Sequence, residues 1–102
     1  MSKAKQLIRE AFRSNTFKRD KNKCRICGND KEKLDAHHIT DRNLMPNGGY
    51  VSENGISLCP DCHEKAEHFH STGTSLPGFS PEELYDIIGS SYTKAVKASE
   101  KI

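Results

Sequence analysis

Four cysteines arranged as two pairs constrain this chain more than any other feature. Cys24 and Cys27 are separated by two residues, and so are Cys59 and Cys62. Two such pairs have the spacing of a closed tetrahedral zinc site, in which two short loops each supply two thiolates. Disulfide pairing is one alternative, and a redox dithiol is another for either pair taken alone. A redox dithiol does not explain two pairs, so the spacing favours structural zinc.

The size and polarity of the chain fit this interpretation. It has 102 residues, of which 33% are hydrophobic, and it contains no Trp. A chain of this length buries only a modest core, so a structural metal would add folding free energy that packing cannot supply. We therefore predict a single domain over residues 1–102 that depends on its zinc site.

The hydropathy pattern excludes some locations. No stretch approaches the roughly 20 apolar residues that span a bilayer, and the first residues do not resemble a signal peptide. We expect no membrane partner and a reducing cytoplasm, where paired cysteines more often bind metal than form disulfides.

The charge distribution is uneven. The net charge of +2 combines +7 over residues 1–33 with −5 over residues 34–102. A basic segment that leads into the first cysteine pair suits a polyanion such as nucleic acid. A solvated helix face that keeps the chain soluble explains the charge equally well. The candidate nucleic-acid contacts nearest the cysteines are Lys18, Arg19, Lys21, Lys23 and Arg25.

Apolar periodicity and turn residues predict three helices and two short strands. In chain order these are a helix over 3–14, strands over 34–39 and 56–58, and helices over 60–70 and 80–98. We expect the first helix to pack through Leu7, Ile8, Ala11 and Phe12 and to be ended by residues 14–16, and residues 17–23 to be extended because they are highly charged. Ser80, Pro81 and Glu83 form a capping signal for the last helix. A break in this helix is possible at residues 89–91, which begin with Gly89.

Three histidines are surplus to a four-cysteine cage. His37 and His38 are adjacent on a predicted strand, so their side chains point to opposite faces, and His63 follows Cys62 directly. One imidazole suits a divalent cation, and its neighbour suits activation of a water molecule. Glu67 is one helical turn after His63 and shares its face, whereas His68 and His70 are expected to be rotated away. Surface or core packing is the alternative for each histidine alone.

These motifs in combination resemble the zinc-binding branch of the HNH endonucleases. The shared order is Cys-x-x-Cys, His-His-Ile, Asn, then Leu-Cys-x-x-Cys-His, and the resemblance covers residues 18–70. The segment from Asn47 to Cys59 is similar to small phage-type members. The resemblance implies a small α+β fold with a ββα-metal (His-Me finger) core, flanked here by the N-terminal and C-terminal helices.

The resemblance also implies roles for particular residues. His37 and His63 correspond to ligands of a catalytic divalent cation, His38 to the general base, and Asn54 to the residue that ties the loop together and orients the base. Glu67 stands where some members have a third protein ligand, so it coordinates the cation or water completes the shell. The implied cofactors are structural Zn²⁺ and a catalytic Mg²⁺, Mn²⁺, Ni²⁺ or Zn²⁺.

The implied activity is hydrolysis of phosphodiester bonds in DNA. Double-stranded DNA is the expected substrate, and either one strand is nicked or both strands are cut. We recognise no sequence-reading module outside the core, which favours low sequence specificity, or specificity supplied by a homodimer or by a larger phage or restriction partner. We therefore expect the protein to act in the cytoplasm, which is that of the host cell if the protein is encoded by a phage. The competing hypothesis is a non-catalytic zinc-knuckle module that binds nucleic acid. Three histidines together with Asn54 favour the nuclease, because a binding module does not require them.

Overall fold

Two short antiparallel strands and four helices make up the fold, which we describe from a computed structural model over residues 3–102. The elements are α1 (Lys3–Arg19), β1 (Asp35–His38), β2 (Gly55–Leu58), α2 (Pro60–Thr72), α3 (Pro81–Ile87) and α4 (Tyr92–Ser99). Three single-turn 3₁₀ segments connect the strands. The prediction of a small α+β fold is confirmed, and β1, β2 and α2 form its ββα unit.

The sheet fixes the position of the histidine pair. Asp35 lies opposite Leu58, and His38 lies opposite Gly55. All four residues of β2 are buried, so the sheet is covered on both sides. The predicted alternation of β1 is also confirmed, because His37 and His38 contact different parts of the protein, as described below.

The first helix is longer than predicted. It continues to Arg19 instead of ending at residue 14, and the following residues form a turn, not an extended segment. The reason is tertiary packing, since Thr16 and Asp20 are buried against the rest of the protein, and such contacts override local propensity. The predicted packing face is only partly correct, because Phe12 is buried but Leu7 is 62% exposed.

A glycine makes the close contact between α1 and the sheet possible. A Cβ atom on Gly55 would lie 2.6 Å from Thr16 Oγ1 and 2.7 Å from the ring of Phe12. Only a residue without a side chain allows this approach. The contact brings the N-terminal helix against the end of β1.

The predicted C-terminal helix over 80–98 is two helices. Ser80 caps α3 by accepting from the Glu83 N–H at 3.2 Å, and the helix ends before Gly89, whose φ of +69° favours glycine. Ser91 then caps α4. Leu84 and Tyr85 of α3 and Ala95 of α4 are buried in one cluster with Ile39 and the strand residues Ile56 and Leu58.

Among residues 3–102, no helix is both long and apolar enough to cross a bilayer.

Candidate metal centres and catalytic cleft

The four cysteines converge on one point. Cys24 and Cys27 lie in a turn closed by the Gly28 N–H, which donates to the Cys24 carbonyl at 2.9 Å. Cys59 precedes α2, and Cys62 lies in its first turn. The four Sγ atoms all lie within 4.8 Å of one another, and no pair is joined by a disulfide.

The distances suit a tetrahedral ion. Four thiolates about 2.3 Å from Zn²⁺ lie about 3.8 Å from one another, and the Sγ atoms of Cys27 and Cys59 are 3.6 Å apart. This separation is far longer than a disulfide bond of about 2.05 Å. The donor set therefore fits zinc.

The thiols titrate unequally. Burial raises the pKa of Cys24, but backbone N–H groups of Cys27, Cys59 and Ile26 favour its thiolate more strongly and lower the pKa to about 7. Burial and the neighbouring sulfurs raise the pKa of Cys62. Four crowded thiolates without a cation would repel one another, so metal binding and deprotonation are coupled.

A second group of possible ligands lies between β1 and α2. It consists of His37, Glu67 and His70, whose donor atoms lie within 4.8 Å of one another. His37 Nδ1 is 3.2 Å from Glu67 Oε1 but makes no hydrogen bond, although the atom is buried. A buried ring nitrogen without a hydrogen bond is costly, and a cation at this point would be bound by its lone pair. The residues present therefore fit a divalent cation.

The protonation states also suit a cation. Burial lowers the pKa of His37, an effect that the attraction of Glu67 does not overcome. The contact with His37 lowers the pKa of Glu67 to about 2, despite burial of the carboxyl group. The group therefore presents a neutral imidazole and a carboxylate, which are the forms that bind metal.

The expectation that His70 points away from this site is wrong. Residues 63, 67 and 70 recur at intervals of four and three, so they return to one face of α2. His70 Nε2 lies 2.9 Å from the His38 carbonyl oxygen, and since a carbonyl only accepts, Nε2 carries the proton and a neutral ring keeps its Nδ1 lone pair. The helical spacing of residues 63, 67 and 70 is therefore enough to predict that His70 shares a face of α2 with Glu67.

His63 lies beside the group, not inside it. Its Nε2 is 3.2 Å from Glu67 Oε1, and its Nδ1 is 3.3 Å from Asp35 Oδ2. The rings of His37 and His63 meet edge to face at 5.2 Å. His63 thus contacts the ligand group through Glu67, and its assignment as a ligand stays a prediction.

His38 occupies the opposite face of β1. Its ring stacks on Phe12 at 4.5 Å and meets the edge of Tyr50 at 4.7 Å. Its Nε2 is buried and has no hydrogen-bond partner. Burial, with repulsion from His37 and Arg42, lowers the pKa of His38 to about 4. The imidazole is therefore neutral at pH 7, although its pKa is not the near-neutral one expected of the base.

Asn54 holds the backbone just after His38. Its Oδ1 accepts from the Thr40 N–H at 3.0 Å, and its Nδ2 donates to the carbonyls of Thr40 and Gly49. Tyr85 of α3 donates its hydroxyl to the same Oδ1 at 2.7 Å. The amide is fully buried, so the loop and the end of β1 are fixed together.

An open cleft connects His38 with part of the second ligand group. His38, Asp41, Arg42, Glu67 and His70 line this cleft, which has a volume of about 290 Å³. Glu67 and His70 therefore share the cleft with His38, whereas His37 is buried and does not line it. Residues 24–69 match the family model described as HNH endonuclease.

This segment, 46 of the 102 residues, is similar to the HNH endonuclease family. The matched residues include both cysteine pairs, the histidine pair, Asn54, His63 and Glu67, whereas α1, α3 and α4 lie outside the match. No curated protein and no solved structure matches the chain significantly.

Two of the five residues predicted to contact nucleic acid form ion pairs within the protein. Arg19 and Arg25 both pair with the buried carboxylate of Asp20. Arg19 also donates to the carbonyls of Ser52 and Gly55, and Arg25 donates to that of Ile87. These guanidinium groups connect elements of the fold, a structural role that their charge alone does not indicate. Lys18, Lys21 and Lys23 are exposed, and their contact with nucleic acid stays a prediction.

Proposed function

We propose that this protein is a metal-dependent endonuclease that hydrolyses phosphodiester bonds in DNA. One observation carries the proposal: a neutral His38 lines the same cleft as Glu67 and His70, two members of the His37–Glu67–His70 group. A hydrolytic site needs a proton acceptor for water close to a centre that stabilises developing negative charge. Similarity of residues 24–69 to the HNH endonuclease family makes a phosphodiester the expected substrate.

His38 is proposed as the general base. Nε2 makes no hydrogen bond within the described residues, so it could accept a proton from a water molecule once substrate binding or side-chain motion exposes it, and the stacked ring of Phe12 fixes the plane of the imidazole. A phosphodiester anion in the cleft would offset the repulsion from Arg42 and raise the pKa of His38 toward neutrality. The base then becomes stronger when substrate binds.

His37, Glu67 and His70, with His63 next to Glu67, are proposed to hold the catalytic cation. When bound, the cation would stabilise negative charge on the phosphoryl group and on the leaving oxygen. A donor set rich in imidazole favours Mn²⁺, Ni²⁺ or Zn²⁺ over Mg²⁺. Cys24, Cys27, Cys59 and Cys62 are proposed to bind structural Zn²⁺, which would fix the start of α2 and hence the direction of His63.

A plasmid-nicking assay tests the proposal. Purified zinc-loaded protein is incubated with supercoiled DNA and each of Mg²⁺, Mn²⁺, Ni²⁺ and Zn²⁺ in turn. His38→Ala and the bulkier His38→Gln should reduce cleavage by about 10²-fold or more, with unchanged zinc content and melting temperature. His68→Ala is the matched control, because His68 lies on α2 outside the cleft, and it should cut at the wild-type rate.

The possible outcomes separate the hypotheses. Undiminished cleavage by both His38 variants would remove His38 as the base. A protein that binds DNA yet cuts with none of the four cations would instead be the non-catalytic zinc-knuckle module.

A further inference from the structure

A second cleft lies next to the catalytic one and is basic. It has a volume of about 330 Å³ and is lined by Lys5, Ile8, Arg9, Arg42, Asn43 and Tyr50. No carboxylate is among these lining residues. Arg42 lines both clefts, so the basic cleft continues directly from the catalytic one.

Tyr50 connects the two clefts. Its ring meets His38 edge to face at 4.7 Å on one side, and the Arg9 guanidinium lies 5.4 Å from its centroid on another. Arg42 donates to the Tyr50 hydroxyl at 3.4 Å. Contacts with an aromatic ring restrict a guanidinium before any ligand arrives, so less side-chain entropy is lost on binding.

Arg9 and Arg42 are left without an ion-pair partner in the described part of the chain, although the charge of Asp41 acts on Arg42. Neither Arg9 nor Arg42 forms an ion pair with a carboxylate anywhere in residues 3–102. Arg19 and Arg25 differ, since both bind Asp20. An unpaired guanidinium in a concave site suits a phosphate, which it can bind through two parallel hydrogen bonds.

We propose that Arg9, over the ring of Tyr50, and Arg42, at its hydroxyl, bind a DNA backbone phosphate neighbouring the scissile one. The proposal rests on the function proposed above and adds a binding site supplied partly by α1, outside the segment matched to the family. Backbone phosphates recur about every 3.4 Å of helix axis on each strand, so a site one ring away from His38 meets a close neighbour of the reacting phosphate.

The position on α1 differs from the one that the charge pattern indicated. Arg9 precedes Lys18 by nine residues, which is about 13 Å along a helix. The nucleic acid would therefore lie along the N-terminal half of α1, and not at the end that leads to the first cysteine pair.

The test measures binding of a fluorescent DNA duplex in the His38→Ala background, which separates binding from cleavage. Arg9→Ala and Arg42→Ala are compared between 50 and 200 mM salt. Each should weaken binding roughly tenfold at the lower salt and reduce the slope of log K against log salt by about 0.9, the contribution of one phosphate contact.

Arg13→Ala is the matched control. Arg13 is on the same helix and stacks on Phe17 at 5.5 Å, much as Arg9 stacks on Tyr50, but it does not line the basic cleft. Its removal should leave the salt slope within about 0.3 of the parent value, because a charge outside the basic cleft does not contact the proposed phosphate. Equal slopes for Arg9→Ala and Arg13→Ala, or an unchanged slope for Arg42→Ala, would overturn the subsite.

The combination of cleavage and binding results distinguishes failure of the subsite proposal from failure of the nuclease proposal. Normal cleavage with binding that is insensitive to Arg9 and Arg42 refutes the subsite alone. Absence of cleavage with every cation, together with Arg9- and Arg42-dependent binding, refutes the nuclease and leaves the subsite intact.

Discussion

Replacing Asp20 by Asn should destabilise the fold strongly without changing side-chain volume. The Asp20 side chain is fully buried, and its oxygens accept four hydrogen bonds. Oδ1 accepts from Arg19 and Arg25, and Oδ2 accepts from Arg19 and the Ser57 N–H. Whichever way the Asn amide is turned, its NH₂ group faces two donors, so two hydrogen bonds are lost.

The magnitude follows from burial. Removing one partner of a buried ion pair costs about 3–5 kcal/mol. The side chains of Arg19 and Arg25 are 27% and 31% exposed, so water can recover part of this loss. We expect a decrease of about 2–3 kcal/mol in the free energy of unfolding, which lowers the melting temperature of a domain of this size by about 10–20 °C.

Urea and thermal unfolding, at a fixed free zinc concentration, provide the measurement. Asp30→Asn is the control, because Asp30 is exposed, and it should change the free energy of unfolding by less than about 0.5 kcal/mol. A decrease below about 1 kcal/mol for Asp20→Asn would refute the view that this carboxylate holds α1 against the sheet.

The dependence on pH provides a second check. Burial raises the pKa of Asp20, but hydrogen bonds from Arg19, Ser57 and Arg25 outweigh it and lower the pKa in the folded protein. The unfolded value is about 3.9, so the stabilisation is complete above that pH and is lost as pH falls through the lower folded pKa. The gap between wild type and Asp20→Asn should stay constant from pH 8 to 5 and narrow below about pH 4.

Three further substitutions test the two metal centres and their support. Cys59→Ser should lose bound zinc and more than about 4 kcal/mol of stability; wild-type melting would refute a structural cage. Tyr85→Phe removes two hydroxyl hydrogen bonds and should cost about 1–2 kcal/mol and lower kcat, whereas exposed Tyr92→Phe should do neither. His70→Ala should raise the cation concentration for half-maximal cleavage about 10–100-fold, and an effect of the same size in His68→Ala would remove His70 from the site.

Much of the site could be predicted because its signals are local. Cysteine spacing within each pair depends on one turn, and alternation along β1 places His37 and His38 on opposite faces whatever surrounds them. The capping residues Ser80 and Glu83 likewise act within one helical turn. The position of His70 is also a local signal, because two residues seven apart on a helix lie on nearly the same face. The prediction that it is rotated away from His63 overlooks this spacing.

Other features depend on contacts between distant parts of the chain. Arg19 and Arg25 carry the same charge whether they bind DNA or a buried carboxylate. Their pairing with Asp20 depends on where the fold places that carboxylate. The length of α1 is set by the contact of Thr16 with Gly55, 39 residues later. No local propensity contains that information.

Residue types and their spacing along the chain define the chemistry available to this protein: four thiolates spaced for zinc, and histidines, a carboxylate and an amide in an order that resembles the HNH endonucleases. Which of these groups meet depends on the fold. The fold brings His70 to the His37–Glu67 pair, pairs Arg19 and Arg25 with Asp20, and places Arg9 over the ring of Tyr50 and Arg42 at its hydroxyl. Residue type and spacing fix local geometry, whereas burial and ion pairing depend on surfaces that come together only in the folded chain.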